Sequence, residues 1–219
     1  MDLVVVTKSV PITFFPLLAE AGVTDVGENR VQAAAVRRRL GPTTWTWHGI
    51  GHLQRNKAPR ALELFDVFHA LDSQALADRL ESLLAGGTRR WPVYVQVNAA
   101  ADPRKGGVTP EETLPFLREM ASRPHLEVRG LMAMAQDHAE PGELRATFRM
   151  LRDLRDDAIR LGAGAAPPSG LSMGMSSDFE LAVEEGATVV RVGTVVFEGL
   201  IEEPPVEDSA ALDEEGGVT

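Results

Sequence analysis

Eight short apolar runs alternate with longer helical patterns along almost the whole of this 219-residue chain. The runs are rich in β-branched residues, which favours buried strands, and the segments between them repeat apolar residues at helical spacing. This alternation indicates a parallel sheet with right-handed crossovers, and eight strands suffice to close a (β/α)8 barrel, the TIM barrel. An open doubly wound sheet is the alternative, but no glycine fingerprint follows the first strand. The predicted strands cover residues 3–8, 24–28, 46–51, 67–72, 92–98, 127–133, 170–174 and 189–193.

The predicted helices leave one gap in the outer layer of such a barrel. Eight strands need eight covering helices, and the pattern predicts seven. Because the chain starts almost directly on the first strand, we expect either an incomplete barrel between strands eight and one or a further helix before Met1. A helix over 206–213 is a weaker alternative. The seven predicted helices lie near residues 12–21, 30–40, 54–64, 73–85, 110–122, 141–161 and 177–185.

Charge and composition exclude several classes of protein. The net charge is −10. Eight acidic residues and no basic residue lie between Glu198 and the C-terminus. Residues 201–219 are therefore predicted to be a disordered acidic tail, and residues 1–200 one domain. The arginines of 37–39 and 145–160 are predicted to be solvated helix faces, which argues against a nucleic-acid partner.

Localisation follows from what the sequence lacks. It contains no cysteine, so disulfides and thiolate metal sites are excluded. No apolar stretch approaches the roughly 20 residues of a membrane span, and no secretory leader is recognisable. A cytoplasmic protein without a membrane partner is expected.

One of the few lysines ends the first apolar run. Only Lys8, Lys57 and Lys105 occur among 22 basic residues. Guanidinium stays protonated, whereas a desolvated amine can lose its proton and attack a carbonyl carbon. Lys8 is therefore a candidate nucleophile, although this segment alone fits a solvated strand-end lysine better.

Polar residues follow most of the predicted strands, at the end of a barrel where chemistry takes place. Ser176 and Ser177 stand where a helix is predicted to begin, so their hydroxyls and N–H groups would face an anion. Such a serine pair is also a common helix N-cap. With Arg191, Gly193 and Thr194 on the next strand, a phosphate site in the loops after strands seven and eight is the better interpretation.

A phosphate site beside an amine on the first strand suggests pyridoxal 5′-phosphate (PLP). This cofactor needs an amine for its aldehyde, an N–H cradle for its phosphate and a partner for its pyridine nitrogen. Arg191 is the candidate partner. Because an arginine keeps the pyridine unprotonated, the ring would be a weak electron sink, suited to holding the cofactor.

The chain resembles the PLP homeostasis proteins, also called the YggS/PROSC family. The resemblance rests on motifs that occur in the family's order over nearly all of residues 3–200. They are Val4-Val5-Val6-Thr7-Lys8, Gly27-Glu28-Asn29-Arg30-Val31-Gln32, Trp47-His48-Gly49-Ile50-Gly51-His52-Leu53-Gln54-Arg55-Asn56-Lys57, Gln96-Val97-Asn98, Lys105-Gly106-Gly107, Gly130-Leu131-Met132-Ala133-Met134, Leu171-Ser172-Met173-Gly174-Met175-Ser176 and Val190-Arg191-Val192-Gly193-Thr194.

The resemblance implies a single barrel of the alanine racemase N-terminal type (fold type III), with PLP held as a Schiff base. It implies buffering of PLP and its delivery to apoenzymes by a protein without an established reaction, and we expect a monomer. The implied cofactor-binding residues are Lys8 for the Schiff base, Ser176, Gly193 and Thr194 for the phosphate, Arg191 for the pyridine nitrogen, and Asn29 and Met173 near the ring.

The sequence departs from the family pattern in three places. It lacks the usual helix before the first strand, it has Val10 where a second lysine is usual, and its acidic tail is longer. None of these differences affects Lys8 or the phosphate loops. Lys57 and Lys105 match family motifs but also fit a solvated helix face and a surface loop.

Two other functions are open to this sequence. A PLP-dependent racemase needs an acid or base on each face of the cofactor. Lys8 could serve one face, but the only tyrosine, Tyr94, is predicted to be core. His48, His52 or Asp72 could serve the other face, although a structural role fits each of them at least as well. A metal-dependent hydrolase would use the residues His48, His52, His69 and Asp72, whose spacing does not match a known metal motif.

Overall fold

The computed structural model describes residues 1–99, 106–136, 139–164 and 166–200. In these ranges eight parallel strands close into a barrel in chain order, and the last strand pairs with the first. The closed eight-stranded barrel predicted from the sequence is confirmed, and every strand lies within two residues of its predicted bounds. The strands are β1 (Asp2–Val6), β2 (Asp25–Glu28), β3 (Thr46–Gly49), β4 (Val67–Leu71), β5 (Trp91–Gln96), β6 (Leu126–Met132), β7 (Gly170–Ser172) and β8 (Val189–Val192).

Seven α-helices lie between the strands in the described ranges, as predicted. Thr109 begins the fifth with a capping box, in which its hydroxyl accepts from the Glu112 N–H and the Glu112 carboxylate accepts from the Thr109 N–H. Short 3-10 turns cover Ile12–Phe14, Arg55–Lys57 and Thr194–Phe197. The helices are α1 (Phe15–Glu20), α2 (Val31–Leu40), α3 (Ala58–Leu64), α4 (Gln74–Leu84), α5 (Pro110–Met120), α6 (Pro141–Arg160) and α7 (Phe179–Glu184).

The gap expected between strands eight and one affects the helical layer alone. β1 and β8 share four register pairs, from Asp2 with Val189 to Val5 with Val192, so an incomplete sheet is the wrong expectation. In the described residues only the 3-10 turn follows β8, and the outward side chain of Leu3 is 49% exposed. We call this outer surface of β1 and β8 the β8–β1 flank. The acidic tail and the helix predicted over 206–213 lie outside the described residues.

The apolar core lies mainly between the barrel and its helices. Trp47, Phe68 and Trp91 are almost fully buried, and the rings of Phe68 and Trp91 stack with their centroids 5.4 Å apart. The interior of the barrel also contains buried polar side chains, including His69, Ser172 and Arg191. Within the described ranges, no helix is both long enough and apolar enough to cross a membrane.

Candidate functional site

Lys8 lies at the carboxyl-terminal rim of the barrel, two residues beyond the end of β1, with its side chain exposed. Its backbone is held from two sides. The Thr7 N–H continues the β1–β2 ladder by donating to the Gly27 carbonyl over 3.0 Å. From α2, the Arg37 guanidinium donates to the carbonyls of Val10 (2.8 Å) and Lys8 (3.4 Å). The amine therefore extends from a fixed backbone.

A buried carboxylate lies beneath this segment. Glu28, at the end of β2, has no exposed surface, and one of its oxygens accepts a 2.5 Å hydrogen bond from the Thr7 hydroxyl. The Arg37 Nε lies 3.4 Å from the same oxygen. Burial raises the pKa of Glu28, whereas the Thr7 hydroxyl, Arg37 and Lys8 act in the opposite direction. This cluster connects α2 to the segment that carries Lys8.

The arginines predicted to be solvated include several with structural roles. The Arg37 side chain is only 15% exposed, and Arg38 bonds to Asp66 over 2.7 Å. The prediction is therefore wrong for these residues, because backbone carbonyls and carboxylates from other elements lie within their reach. Among the arginines of 145–160, three side chains bond to the buried carboxylate of Glu185: Arg145, Arg149 and Arg152.

The loops after β7 and β8 meet at the hydroxyl of Ser176. This oxygen accepts from the backbone N–H groups of Gly193 (3.1 Å) and Val195 (3.4 Å). Gly193 packs closely against β1, since a Cβ added to it would lie 3.2 Å from the Val6 Cβ. Exposed Thr194 follows in the same turn. These donors and hydroxyls therefore lie next to the strand that leads to Lys8.

The predicted start of the last helix is wrong by two residues. α7 begins at Phe179 and not at Ser177, because the Asp178 carboxylate accepts the Met175 N–H at 2.5 Å and closes a turn first. Ser176 and Ser177 lie in that turn, so no helix begins at them. The N–H groups that converge on Ser176 come instead from the segment after β8.

Arg191 occupies the barrel interior, with 4% of its surface exposed. Its guanidinium donates through Nη1 to the Ser172 hydroxyl (2.6 Å) and through Nη2 to the Ala133 carbonyl (3.1 Å). Burial lowers the pKa of Arg191 to about 10, and the Asp178 carboxylate acts in the opposite direction. The group therefore remains a cation at neutral pH, held in one orientation.

Asn29 and Met173 directly follow the ends of β2 and β7. Met173 is fully buried, whereas Asn29 is half-buried with its backbone against Gly51. A Cβ at Gly51 would lie 2.3 Å from the Asn29 carbonyl oxygen, so glycine is needed for this close approach. Sequence reasoning did not assign this role to Gly51, although its place within the His-Gly-Ile-Gly-His motif is a signal for it.

The three lysines are in different environments. Lys8 lies on the rim, half-buried Lys57 ends the 3-10 turn before α3, and Lys105 lies outside the described residues. In the described ranges, no group of three or more His, Asp or Glu side chains is placed to hold a metal ion. Tyr94 is buried, as predicted, with its ring stacked on that of His69.

Comparison with known proteins gives the family. Residues 11–200 match the family model described as alanine racemase, N-terminal domain. The pyridoxal phosphate homeostasis protein of Aquifex aeolicus is 37% identical over 192 residues, which cover 87% of this chain and 83% of the relative. The chain belongs to the pyridoxal phosphate homeostasis protein family.

Solved structures include other barrels of this kind. PipY of Synechococcus elongatus, solved with PLP bound, superposes with a TM-score of 0.83 at 36% identity, covering 90% of this chain and 92% of PipY. Alanine racemase of Clostridium difficile is 13% identical with a TM-score of 0.77, and the match covers 95% of this chain but 54% of the racemase. This second likeness shows that this chain and the racemase share a barrel fold.

Proposed function

We propose that this protein binds pyridoxal 5′-phosphate at the carboxyl-terminal rim of its barrel and holds it for cellular PLP homeostasis, without catalytic turnover. The observation that carries the proposal is the meeting of the Ser176 hydroxyl with the N–H groups of Gly193 and Val195 beside the strand that leads to Lys8. Family membership and the cofactor in PipY support it.

The side chains on this rim fit the chemical groups of the cofactor. PLP supplies an aldehyde, which condenses with a primary amine with loss of water, and Lys8 presents an exposed amine. Hydroxyls and N–H groups at Ser176, Gly193 and Thr194 match a phosphate dianion. We assign Asn29 and Met173 to the walls beside the ring.

In this proposal, Arg191 favours holding the cofactor, or proton chemistry of limited carbanion character, over broad amino-acid chemistry. A guanidinium is a permanent donor, so next to a pyridine nitrogen it leaves that nitrogen unprotonated. An unprotonated ring withdraws electrons weakly, which disfavours amino-acid chemistry. The bonds from Arg191 to Ser172 and Ala133 hold the guanidinium in this role.

The environment of Tyr94 does not support a racemase. Tyr94, the one tyrosine in the sequence, is 7% exposed and stacks on His69 with ring centroids 4.5 Å apart. Burial raises the pKa of Tyr94, so its hydroxyl stays protonated at neutral pH and is not available as a base. Delivery of PLP to apoenzymes, a cytoplasmic location and a monomeric state remain predictions from the sequence.

The attachment of the cofactor at Lys8 is tested by reduction of the loaded protein. The visible spectrum is recorded before and after borohydride treatment, and the modified peptide is located by mass. We expect an absorption band that disappears on reduction and a pyridoxyl group on the peptide that contains Lys8. Lys8→Arg keeps the positive charge but removes the primary amine, so it should give neither signal.

Lys57→Arg is the matched control, because Lys57 is the other lysine in the described ranges and lies in the turn before α3. After reduction, this variant should carry the pyridoxyl group on the peptide that contains Lys8, as the wild type does. A wild-type protein that stays colourless with added PLP would refute cofactor binding. Labelling at another lysine would refute only the assignment of Lys8.

A further inference from the structure

Five polar side chains form a continuous hydrogen-bonded row across the interior of the barrel. Asp25 Oδ1 lies 2.9 Å from His48 Nε2, and His48 Nδ1 lies 2.8 Å from His69 Nε2. His69 Nδ1 lies 2.8 Å from the Ser172 hydroxyl, which is 2.6 Å from Arg191 Nη1. The row joins five of the eight strands. It is called the interior row below.

The donors of the interior row all point the same way. The Asp25 carboxylate can only accept, so His48 carries a proton on Nε2 and donates to it. A singly protonated His48 then accepts at Nδ1 from His69 Nε2. His69 in turn accepts at Nδ1 from the Ser172 hydroxyl, whose oxygen accepts from the Arg191 guanidinium.

The opposite tautomer of His69 conflicts with its surroundings. A proton on Nδ1 would remove the acceptor of the Ser172 hydroxyl proton, since the Ser172 oxygen would then accept from both His69 and Arg191. The unprotonated Nε2 would then face the His48 Nδ1 lone pair at 2.8 Å, unless His48 gained a second proton and became a cation. Burial, His48 and Arg191 lower the pKa of His69 well below its ordinary value, so His69 itself remains neutral.

The two ends of the interior row lie in different parts of the barrel. Asp25 is the first residue of β2, at the end opposite the functional rim, and its side chain is 29% exposed. Hydrogen bonding from His48 lowers its pKa, against the effect of burial, so it is an anion at neutral pH. Arg191 is the cation at the other end. The interior row therefore connects two opposite charges through the side chains of His48, His69 and Ser172.

We propose that the interior row is a positioning device for Arg191: His48 and His69, each protonated on Nε2, fix Ser172 as an acceptor and thereby hold the guanidinium in one orientation. The role assigned to Arg191 rests on the proposed function, whereas the tautomers do not. Ser172 alone cannot fix the orientation, because a free hydroxyl rotates. His69 prevents this rotation by accepting the hydroxyl proton.

Nitrogen NMR of the histidine side chains tests the row without any cofactor. At neutral pH, both His48 and His69 should show a protonated Nε2 and an unprotonated Nδ1. Tyr94→Phe keeps the ring that stacks on His69 and should leave these signals in place. A His69 that carries its proton on Nδ1, or that exchanges between tautomers in the wild type, would overturn the proposal.

Substitutions at Ser172 and at Asp25 test how the row acts on Arg191. Ser172→Ala should release the His69 tautomer and weaken PLP binding roughly tenfold, the equivalent of one lost hydrogen bond to a charged group. It should also shift the absorption band of the bound cofactor. Asp25→Asn keeps an acceptor for His48 and should retain both tautomers, whereas Asp25→Ala should not.

The two proposals fail in distinguishable ways. If the wild type binds no PLP but shows both Nε2–H tautomers, the proposed function fails and the interior row stands. If the wild type binds PLP and a correctly folded Ser172→Ala variant keeps the wild-type affinity, band and tautomers, the positioning role is refuted. Circular dichroism of each variant establishes that it is folded.

Discussion

Gly51→Ala should destabilise the protein and disturb the rim beside Asn29. The added Cβ would lie 2.3 Å from the Asn29 carbonyl oxygen and 2.9 Å from its carbonyl carbon. These are backbone atoms that cannot rotate away. The adjacent hydrogen bond from the Ile50 N–H to the Glu28 carbonyl holds the two strands together at this point. One strand end must therefore move.

The expected cost follows from this geometry. Overpacking of a well-packed site typically costs about 1–3 kcal/mol, and a contact with backbone belongs at the upper end. In a protein of this size, 1 kcal/mol lowers Tm by about 2–4 °C, so a loss of about 3 kcal/mol corresponds to roughly 6–12 °C. Thermal unfolding followed by circular dichroism measures the change. We also expect weaker PLP binding, because Asn29 is displaced.

Gly142→Ala is the matched control for the same substitution. Gly142 lies near the start of α6, and nothing lies within 4 Å of an added Cβ. Alanine is the better helix former by about 0.5–1 kcal/mol, so Tm should rise by a few degrees at most. An unchanged Tm for Gly51→Ala, or an equal fall in both variants, would refute the steric argument.

Two further substitutions test the surroundings of the site. Burial raises the pKa of Glu28, so folding favours its protonated form. The contribution of this carboxyl to the free energy of unfolding is complete below its ordinary pKa of 4.5 and is lost as the pH rises through the raised pKa. Glu28→Gln should therefore gain stability relative to the wild type from pH 4.5 upward in urea unfolding, and parallel curves would contradict this. Gly174→Ala should lower Tm by at least about 4 °C, since Gly174 has φ +96° and its Cβ would lie 2.7 Å from that of Ala182. A wild-type Tm would show that the turn before Ser176 tolerates a side chain.

The strands were predictable because most of them are short apolar runs bounded by polar or glycine residues. β4, for example, reads Val-Phe-His-Ala-Leu and occupies residues 67–71 of the predicted 67–72. The start of α7 was harder to predict from the sequence. Ser177 and Asp178 are both good N-caps, and only the hydrogen bond from Met175 to Asp178 decides where the helix begins.

The interior row was beyond sequence reasoning for a different reason. His48 and His69 are single polar residues in apolar strands, a pattern that shows burial but not the partner. Which atoms meet depends on the strand register around a closed barrel, and Asp25 and Ser172 are far apart in sequence. The anchoring of Lys8 by Arg37 was hidden likewise, because the interaction joins a helix to a loop 27 to 29 residues away.

Because of the β8–β1 flank, bound cofactor should also stabilise the barrel itself. β1 is the strand that leads to Lys8, and in the described residues no α-helix follows β8 to cover it. A ligand bonded to Lys8 and held by the loops after β7 and β8 would join the ends of β8 and β1, the two strands of this flank. Ligand binding then raises the free energy of unfolding by about 2.7 kcal/mol when the free ligand concentration is a hundred times Kd. Amide hydrogen exchange in β1 should therefore be slower when the cofactor is bound. The exchange rate of this strand would then report the fraction of the protein that holds the cofactor.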